Sequence, residues 1–132
     1  MANISKYNLY YISGIEEYRR RAMYTLNIKE DCFVVSGIFK SKEFLFDEIV
    51  DIKYGEINFL KETIDIVRRT LVDQVSLIDL RNNRKLNYCL VIFLKNQTIL
   101  FGEEYDTLIK KAYENLLNAT NKTRKKRYWE SF

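Results

Sequence analysis

The stretch AMYTLNIKEDCFVVSGIF, residues 22–39, indicates the fold class because it pairs a segment of alternating faces, 22–29, with an apolar segment, 32–39. One face of its first half carries Ala22, Tyr24, Leu26 and Ile28, and the other carries Met23, Thr25, Asn27 and Lys29. A period of two is typical of a strand with one buried face. Glu30 and Asp31 predict a tight turn, and residues 32–39 then predict the second strand of a β-hairpin.

Further strand patterns lie on both sides of this hairpin, where aromatic and β-branched residues are dense. The additional predicted strands cover residues 7–13, 43–46, 48–55, 86–94 and 98–103. The last two flank a short polar turn at 95–97 and so predict a second hairpin. The chain is therefore expected to form a sheet of short antiparallel strands.

Two segments have a helical period instead. The apolar stripe of the first comprises Ile57, Leu60, Ile64, Val67, Leu71, Val75 and Ile78, which predicts an inserted amphipathic helix over about 57–80. A strand within 70–80 is the open alternative. The stripe of the second comprises Leu108, Ile109, Ala112, Tyr113, Leu116 and Leu117, and Asp106 is its expected cap. The predicted fold class is mainly β with α (α+β).

The composition excludes several kinds of catalytic site. The 132 residues include no histidine, which histidine-dependent triads and most zinc enzymes require. No glycine-rich phosphate loop or nucleophile-elbow motif occurs. The acidic groups at 47–51 and 103–106 follow no metal-ligand spacing. We therefore expect a protein that is not an enzyme and that has no cofactor and no bound metal.

The amino-terminal residues MANISKYNLYY contain no basic segment followed by an apolar one, so no secretory signal is expected. The longest apolar run, 88–94, is far shorter than the ~20 residues that span a bilayer. Without an export signal, Cys32 and Cys89 are expected to be reduced thiols, although a disulfide between them is the alternative. The expected location is cytoplasmic.

The net charge of +4 is concentrated at the carboxyl end. Residues 1–121 hold 17 basic and 17 acidic side chains, whereas residues 122–132 hold five basic side chains and one acidic side chain. The basic residues are Lys122, Arg124, Lys125, Lys126 and Arg127, and the aromatic residues beside them are Tyr128, Trp129 and Phe132. We predict a single domain over 1–121 and a basic, aromatic tail over 122–132.

Three interpretations of this tail stay open. Basic and aromatic residues together suit an anionic membrane surface, where rings insert at the interface. They also suit nucleic acid, where bases stack on the rings. In the third interpretation the terminal helix continues and the aromatic rings pack back onto the sheet. The neutral body argues against a duplex-binding face elsewhere on the domain.

Two stretches carry a family resemblance. Residues 24–55, YTLNIKEDCFVVSGIFKSKEFLFDEIVDIKYG, resemble the opening of a bacterial pleckstrin-homology-like (PH/GRAM-like) domain, with Ile49 and Ile52 as its paired isoleucines. Residues 88–118, YCLVIFLKNQTILFGEEYDTLIKKAYENLLN, are similar to that family's last hairpin and capping helix. The resemblance implies a bent antiparallel barrel capped by a C-terminal helix. The inserted segment 57–80 departs from the family pattern.

The resemblance also gives a candidate site. It implies that Arg19, Arg20 and Arg21 lie near the first strand-to-strand loop, where basic residues of many relatives grip inositol phosphates. Glu16 and Glu17 precede them and oppose that charge. A solvated strand start and a contact with a partner protein are the other interpretations of the triplet.

The expected function is a non-catalytic interaction module that binds a protein partner or itself, through the inserted helix or an open sheet edge. Such a module can serve as an accessory or inhibitory factor, by analogy alone. A peripheral membrane module is the first alternative. It would bind anionic phospholipid through the arginine triplet and the tail. A nucleic-acid-associated protein that uses the tail is the second.

Overall fold

The computed structural model describes residues 3–18, 20–71, 78–79 and 84–130, and strands dominate these ranges. The strands are β1 (Asn3–Ser13), β2 (Ala22–Lys29), β3 (Cys32–Ser36), β4 (Ser41–Leu45), β5 (Ile49–Glu56), β6 (Ile78–Asp79), β7 (Arg84–Lys85), β8 (Tyr88–Leu94) and β9 (Thr98–Glu103). The helices are α1 (Ile57–Thr63), α2 (Asp65–Thr70) and α3 (Asp106–Glu130), and a 3-10 turn, Phe46–Glu48, joins β4 to β5.

Seven of these strands form one antiparallel sheet in the order β4-β3-β2-β1-β9-β8-β5. The predicted central hairpin is confirmed, because Leu26 pairs with Val35 and Ile28 pairs with Phe33 across β2 and β3. Leu26 and Ile28 are buried, as the period of two requires. The second predicted hairpin is also confirmed as β8 and β9.

The sheet must curl, because a short turn joins its two edge strands. β4 and β5 lie six strand spacings apart in the sheet order, which is about 29 Å in a flat sheet. Nevertheless only the three residues Phe46–Glu48 separate the end of β4 from the start of β5, and consecutive Cα atoms are only about 3.8 Å apart. Phe44 of β4 and Ile52 of β5 belong to the same cluster of buried apolar residues. Helix α3 supplies Ile109 and Leu116 to that cluster, so the helix closes the concave side of the sheet.

The predicted helix over 57–80 is wrong as one continuous element. Ile64 adopts an extended conformation (φ −121°, ψ 110°) between α1 and α2, and α2 ends at Thr70. The β-branched pair Thr63 and Ile64 has a lower helix propensity, which favours a break at this point. Ile78–Asp79 is a short strand paired with Arg84–Lys85, in line with the alternative of a strand within 70–80, and Val75 lies outside the described residues.

The two helices cover the outer face of the sheet. Leu60 of α1, Val67 of α2 and Leu71 are buried in a second apolar cluster with Ile12 of β1 and Val91 of β8. The core of this chain therefore includes four members of the predicted stripe: Ile57, Leu60, Val67 and Leu71.

Both cysteines are buried free thiols. Burial and, after it, the Glu43 carboxylate, which accepts a hydrogen bond from Sγ at 3.1 Å, raise the pKa of the Cys32 thiol from 9.0 to about 11. Burial alone raises the pKa of the Cys89 thiol to about 12. Because the thiolate is the reactive form, both thiols should be inert near neutral pH.

We therefore expect iodoacetamide to leave both thiols of the native protein unmodified near neutral pH and to modify both after denaturation, with Cys32→Ser and Cys89→Ser variants identifying each product. The folded state raises both pKa values above the ordinary 9.0. Their contribution to stability is therefore complete below that pH and is lost as the pH rises toward 11. Fast modification of the native protein would contradict this assignment.

Candidate binding surface

The loop between β1 and β2 is held in place by a glycine and two tyrosines. Gly14 has φ +114° and lies against the backbone of Thr98. The Tyr11 hydroxyl donates to the Ile15 carbonyl at 3.1 Å and accepts from the Ile15 amide at 2.7 Å. The Tyr18 hydroxyl donates to the Val35 carbonyl at 2.7 Å. These bonds give the loop a defined position beside strand β3.

The turn between β3 and β4 presents two large apolar side chains to solvent. The Gly37 amide donates to the Lys40 carbonyl at 2.8 Å, which closes a four-residue turn with Ile38 and Phe39 at its centre. Ile38 is 89% exposed and Phe39 is 95% exposed. The prediction that residues 32–39 form one strand is wrong at this end, because β3 stops at Ser36.

A cleft of about 860 Å³ lies between the β1–β2 loop and this turn. Its lining residues are Glu16, Glu17, Tyr18, Arg20, Ala22, Tyr24, Gly37, Ile38, Phe39 and Lys40. We call this the hairpin cleft. Two ring contacts organise its aromatic side: Tyr24 stacks on Tyr11 with ring centroids 5.2 Å apart and meets Tyr18 edge-on at 5.0 Å. The cleft thus has an aromatic side and an apolar tip.

Polar contacts tie the two sides of the hairpin cleft together. Lys42 Nζ lies 2.6 Å from Glu17 Oε1, and Lys40 Nζ donates to the Glu17 carbonyl at 3.4 Å. The hydrogen bond from Lys42 lowers the pKa of the Glu17 carboxyl, whereas burial raises the pKa of Tyr18. Glu17 therefore stays charged and Tyr18 stays neutral near neutral pH.

The arginine triplet is placed in part. Arg20 is exposed and lines the hairpin cleft, and Arg21 is exposed at the start of β2. Arg19 lies outside the described residues. Arg20 therefore lines the same cleft as Lys40 and the exposed Ile38, and Glu16 lines it as well. Anion binding by the triplet stays a prediction.

The basic tail is helical as far as the structure describes it, because α3 runs past Asn121 to Glu130. Lys122 and Lys125 are exposed, whereas the Arg124 guanidinium donates to the Ile49 carbonyl at 2.8 Å. Lys126, Arg127, Tyr128 and Trp129 lie in the helix, their side chains are not described, and Phe132 lies outside the described residues. Asp106, the expected cap, is instead the first helical residue.

The described arginines of the two basic segments lie near opposite ends of β4. Arg20 lines the hairpin cleft, next to the end of β4 at which Ser41 begins the strand. The Arg124 guanidinium contacts Ile49, which follows the opposite end of β4 and the 3-10 turn. A surface that used both Arg20 and Arg124 would therefore have to extend along β4.

Two kinds of feature are absent from the described part of the chain. No helix there is both long and apolar enough to cross a membrane. The described side chains also form no group of three or more cysteine or carboxylate residues with the proximity that a metal ion needs. Asp51, from one of the two acidic groups, accepts a hydrogen bond from the Ile52 amide at 2.8 Å.

No protein-family model matches this chain, and no curated protein matches it significantly in sequence. The functional argument therefore depends on the fold and on the hairpin cleft. Sequence patterns missed the tip formed by Ile38 and Phe39, because GIF continues the apolar run of β3. The sequence did contain one signal for a turn at this point, the pair Ser36-Gly37, because a serine followed by a glycine often marks a turn.

Proposed function

We propose that this protein is a non-catalytic interaction module of the pleckstrin-homology-like type, and that it binds a protein partner through the hairpin cleft. Two features support the fold part of the proposal. All seven strands of the curled sheet are antiparallel, and α3 closes its concave side as the capping helix of that family does. Helices α1 and α2 then form an insertion that covers the outer face.

The exposed tip formed by Ile38 and Phe39 is the main support for the functional part of the proposal. Single exposed apolar residues are common on protein surfaces, but Ile38 and Phe39 are adjacent, almost fully exposed, and beside a cleft with an aromatic side. Burying each side chain in a partner would contribute about 1.5–3 kcal/mol. The cleft volume also lies in the range of roughly 300–1,000 Å³ that is usual for binding sites.

The chemistry of the hairpin cleft supports a non-catalytic role. Glu17 and Tyr18 are the two lining residues with shifted pKa values, and the pKa of each moves away from neutral pH. A general acid or base works best when its pKa lies near the operating pH. The ion pair between Glu17 and Lys42 therefore fits a structural role.

The proposal predicts that Phe39→Ser reduces capture of partner proteins from a native lysate at least about tenfold, because an anchor side chain is lost. Unfolding stability should change by no more than about 0.5 kcal/mol, since Phe39 packs on little of its own chain. Quantitative mass spectrometry of pull-downs checks the first statement, and thermal unfolding checks the second.

Phe59→Ser is the matched control, because Phe59 is 62% exposed on α1 and does not line the hairpin cleft. The control should capture the same partners as the wild-type protein. Equal capture by the Phe39→Ser and wild-type proteins would show that the tip is not the binding surface.

An anionic membrane surface is the second candidate ligand. Arg20 and Lys40 lie beside Ile38 and Phe39, and cationic side chains around an apolar tip favour insertion into anionic lipid. Glu16 on the same cleft opposes this function. Cosedimentation with phosphatidylserine vesicles tests it, and binding that Phe39→Ser abolishes would favour the membrane over a protein.

A further inference from the structure

We propose that the partner is a second copy of this chain, and that Phe39 of each copy enters the hairpin cleft of the other. This inference rests on the proposed function, because it names the occupant of the same cleft. The observation behind it is that one surface contains both a protruding apolar tip and a recess of suitable character.

The shape of this surface is self-complementary. In a two-fold symmetric dimer both copies use the same surface patch. A patch that contains a protrusion must therefore also contain a recess that receives the protrusion of the other copy. Ile38 and Phe39 protrude from the β3–β4 turn, and Tyr18 and Tyr24 line the recess next to it. Rotation by a half turn can therefore place each phenylalanine ring against the aromatic side of the opposite cleft, a contact that ring geometry favours.

The charges of the surface suit the same arrangement. Glu16 and Arg20 line the hairpin cleft from the β1–β2 loop and Lys40 lines it from the β3–β4 turn, so both signs are available for contacts between copies. Glu17 is already paired with Lys42 within its own chain. The net charge of +4 that each copy carries lies in residues 122–132, so the domain over 1–121 adds no net charge repulsion of its own.

Two other surfaces suit a second copy less well. The outer face of the sheet is covered by α1 and α2. The edge strand β4 has Glu43 at its centre, and a two-fold antiparallel pairing centred there places Glu43 opposite Glu43 of the second copy. Like charges directly opposite each other destabilise a strand pair. The hairpin cleft is therefore the favoured contact.

The first test is the oligomeric state of the full chain by sedimentation over about a hundredfold range of concentration. We expect a concentration-dependent dimer, because a tip and a cleft bury less than the roughly 800 Å² per copy of a standard interface. Phe39→Ser should raise the dissociation constant at least about tenfold, and the Phe59→Ser control should leave it unchanged.

A cross-link tests the geometry. Mixing an Ile38→Cys chain with an Ala22→Cys chain under mild oxidation should give a disulfide-linked heterodimer, because Ile38 is next to Phe39 on the tip, Ala22 lines the cleft that the tip enters, and both chains keep the Phe39 ring. The native thiols Cys32 and Cys89 are buried and should not compete. Mixing Phe59→Cys with Ala22→Cys is the control and should give no such product.

The outcomes separate the hypotheses. A protein that stays monomeric at every concentration overturns the second copy as occupant. If the monomer still captures another protein through Phe39, the proposed function stands without self-association. If the monomer instead binds phosphatidylserine vesicles through Phe39, the occupant is a membrane. A dimer that Phe39→Ser does not weaken and that the Ile38→Cys and Ala22→Cys pair does not cross-link also overturns the inference, because its contact lies elsewhere.

Discussion

Gly14→Ala should lower the free energy of unfolding by about 3–5 kcal/mol, a large part of the 5–15 kcal/mol typical of a domain. An added Cβ would lie 2.0 Å from the Thr98 carbonyl oxygen and 2.6 Å from Ile99 Cα. Both are backbone atoms, so β1 and β9 would have to separate. The left-handed φ of +114° adds a conformational cost of about 1–3 kcal/mol. Chemical denaturation measures the loss.

Gly55→Ala provides the matched control. Gly55 also has a positive φ, +156°, but an added Cβ would meet only the Leu60 side chain at 3.7 Å, an ordinary contact. The control should therefore lose clearly less stability than the Gly14→Ala protein. Equal losses would show that backbone conformation, and not the contact between β1 and β9, sets the cost at Gly14.

Leu116→Ala should lower the free energy of unfolding by about 2–5 kcal/mol, because it opens a cavity where α3 meets the curled sheet. Leu116 is fully buried in the same cluster as Ile109 and Ala112. The helix therefore contributes to the stability of the whole domain. Denaturation followed by both circular dichroism and tyrosine fluorescence should give one coincident transition.

Leu108→Ala on the same helix is the control for this prediction. Leu108 is 38% exposed, so its truncation should cost clearly less than that of Leu116. If the two variants lost the same stability, or if helix and sheet signals separated in the Leu116→Ala protein, α3 would not be an integral part of the core.

The sequence predicted strands correctly where apolar and polar residues alternate regularly. Residues 22–29 show this, since Leu26 and Ile28 are buried and the strand ends at Lys29. The helical period, in contrast, predicted one continuous helix through Ile64, where the structure has a break. The spacing of three and four residues continues through the break, because α1 and α2 both keep their apolar sides on the sheet. Periodicity reports the buried side of a segment and does not locate a local change of backbone direction.

The candidate site was less accessible to sequence analysis, because it depends on contacts between distant segments. The family resemblance pointed to the loop that contains Arg20. Nothing local to that loop indicates that the β3–β4 turn lies across from it, held by Lys42 and Glu17. Ile38 and Phe39 resemble strand residues until the fold shows that they extend beyond β3.

The length of α3 also determines where the net charge of the protein lies. Its 25 residues span about 37 Å, and the entire net charge of +4 lies in 122–132, on and just beyond the last turns of this helix. This charge adds to the electric dipole moment of the protein a component that points toward the end of α3. We therefore expect the field of a polyanion to favour an orientation in which the end of α3 approaches first.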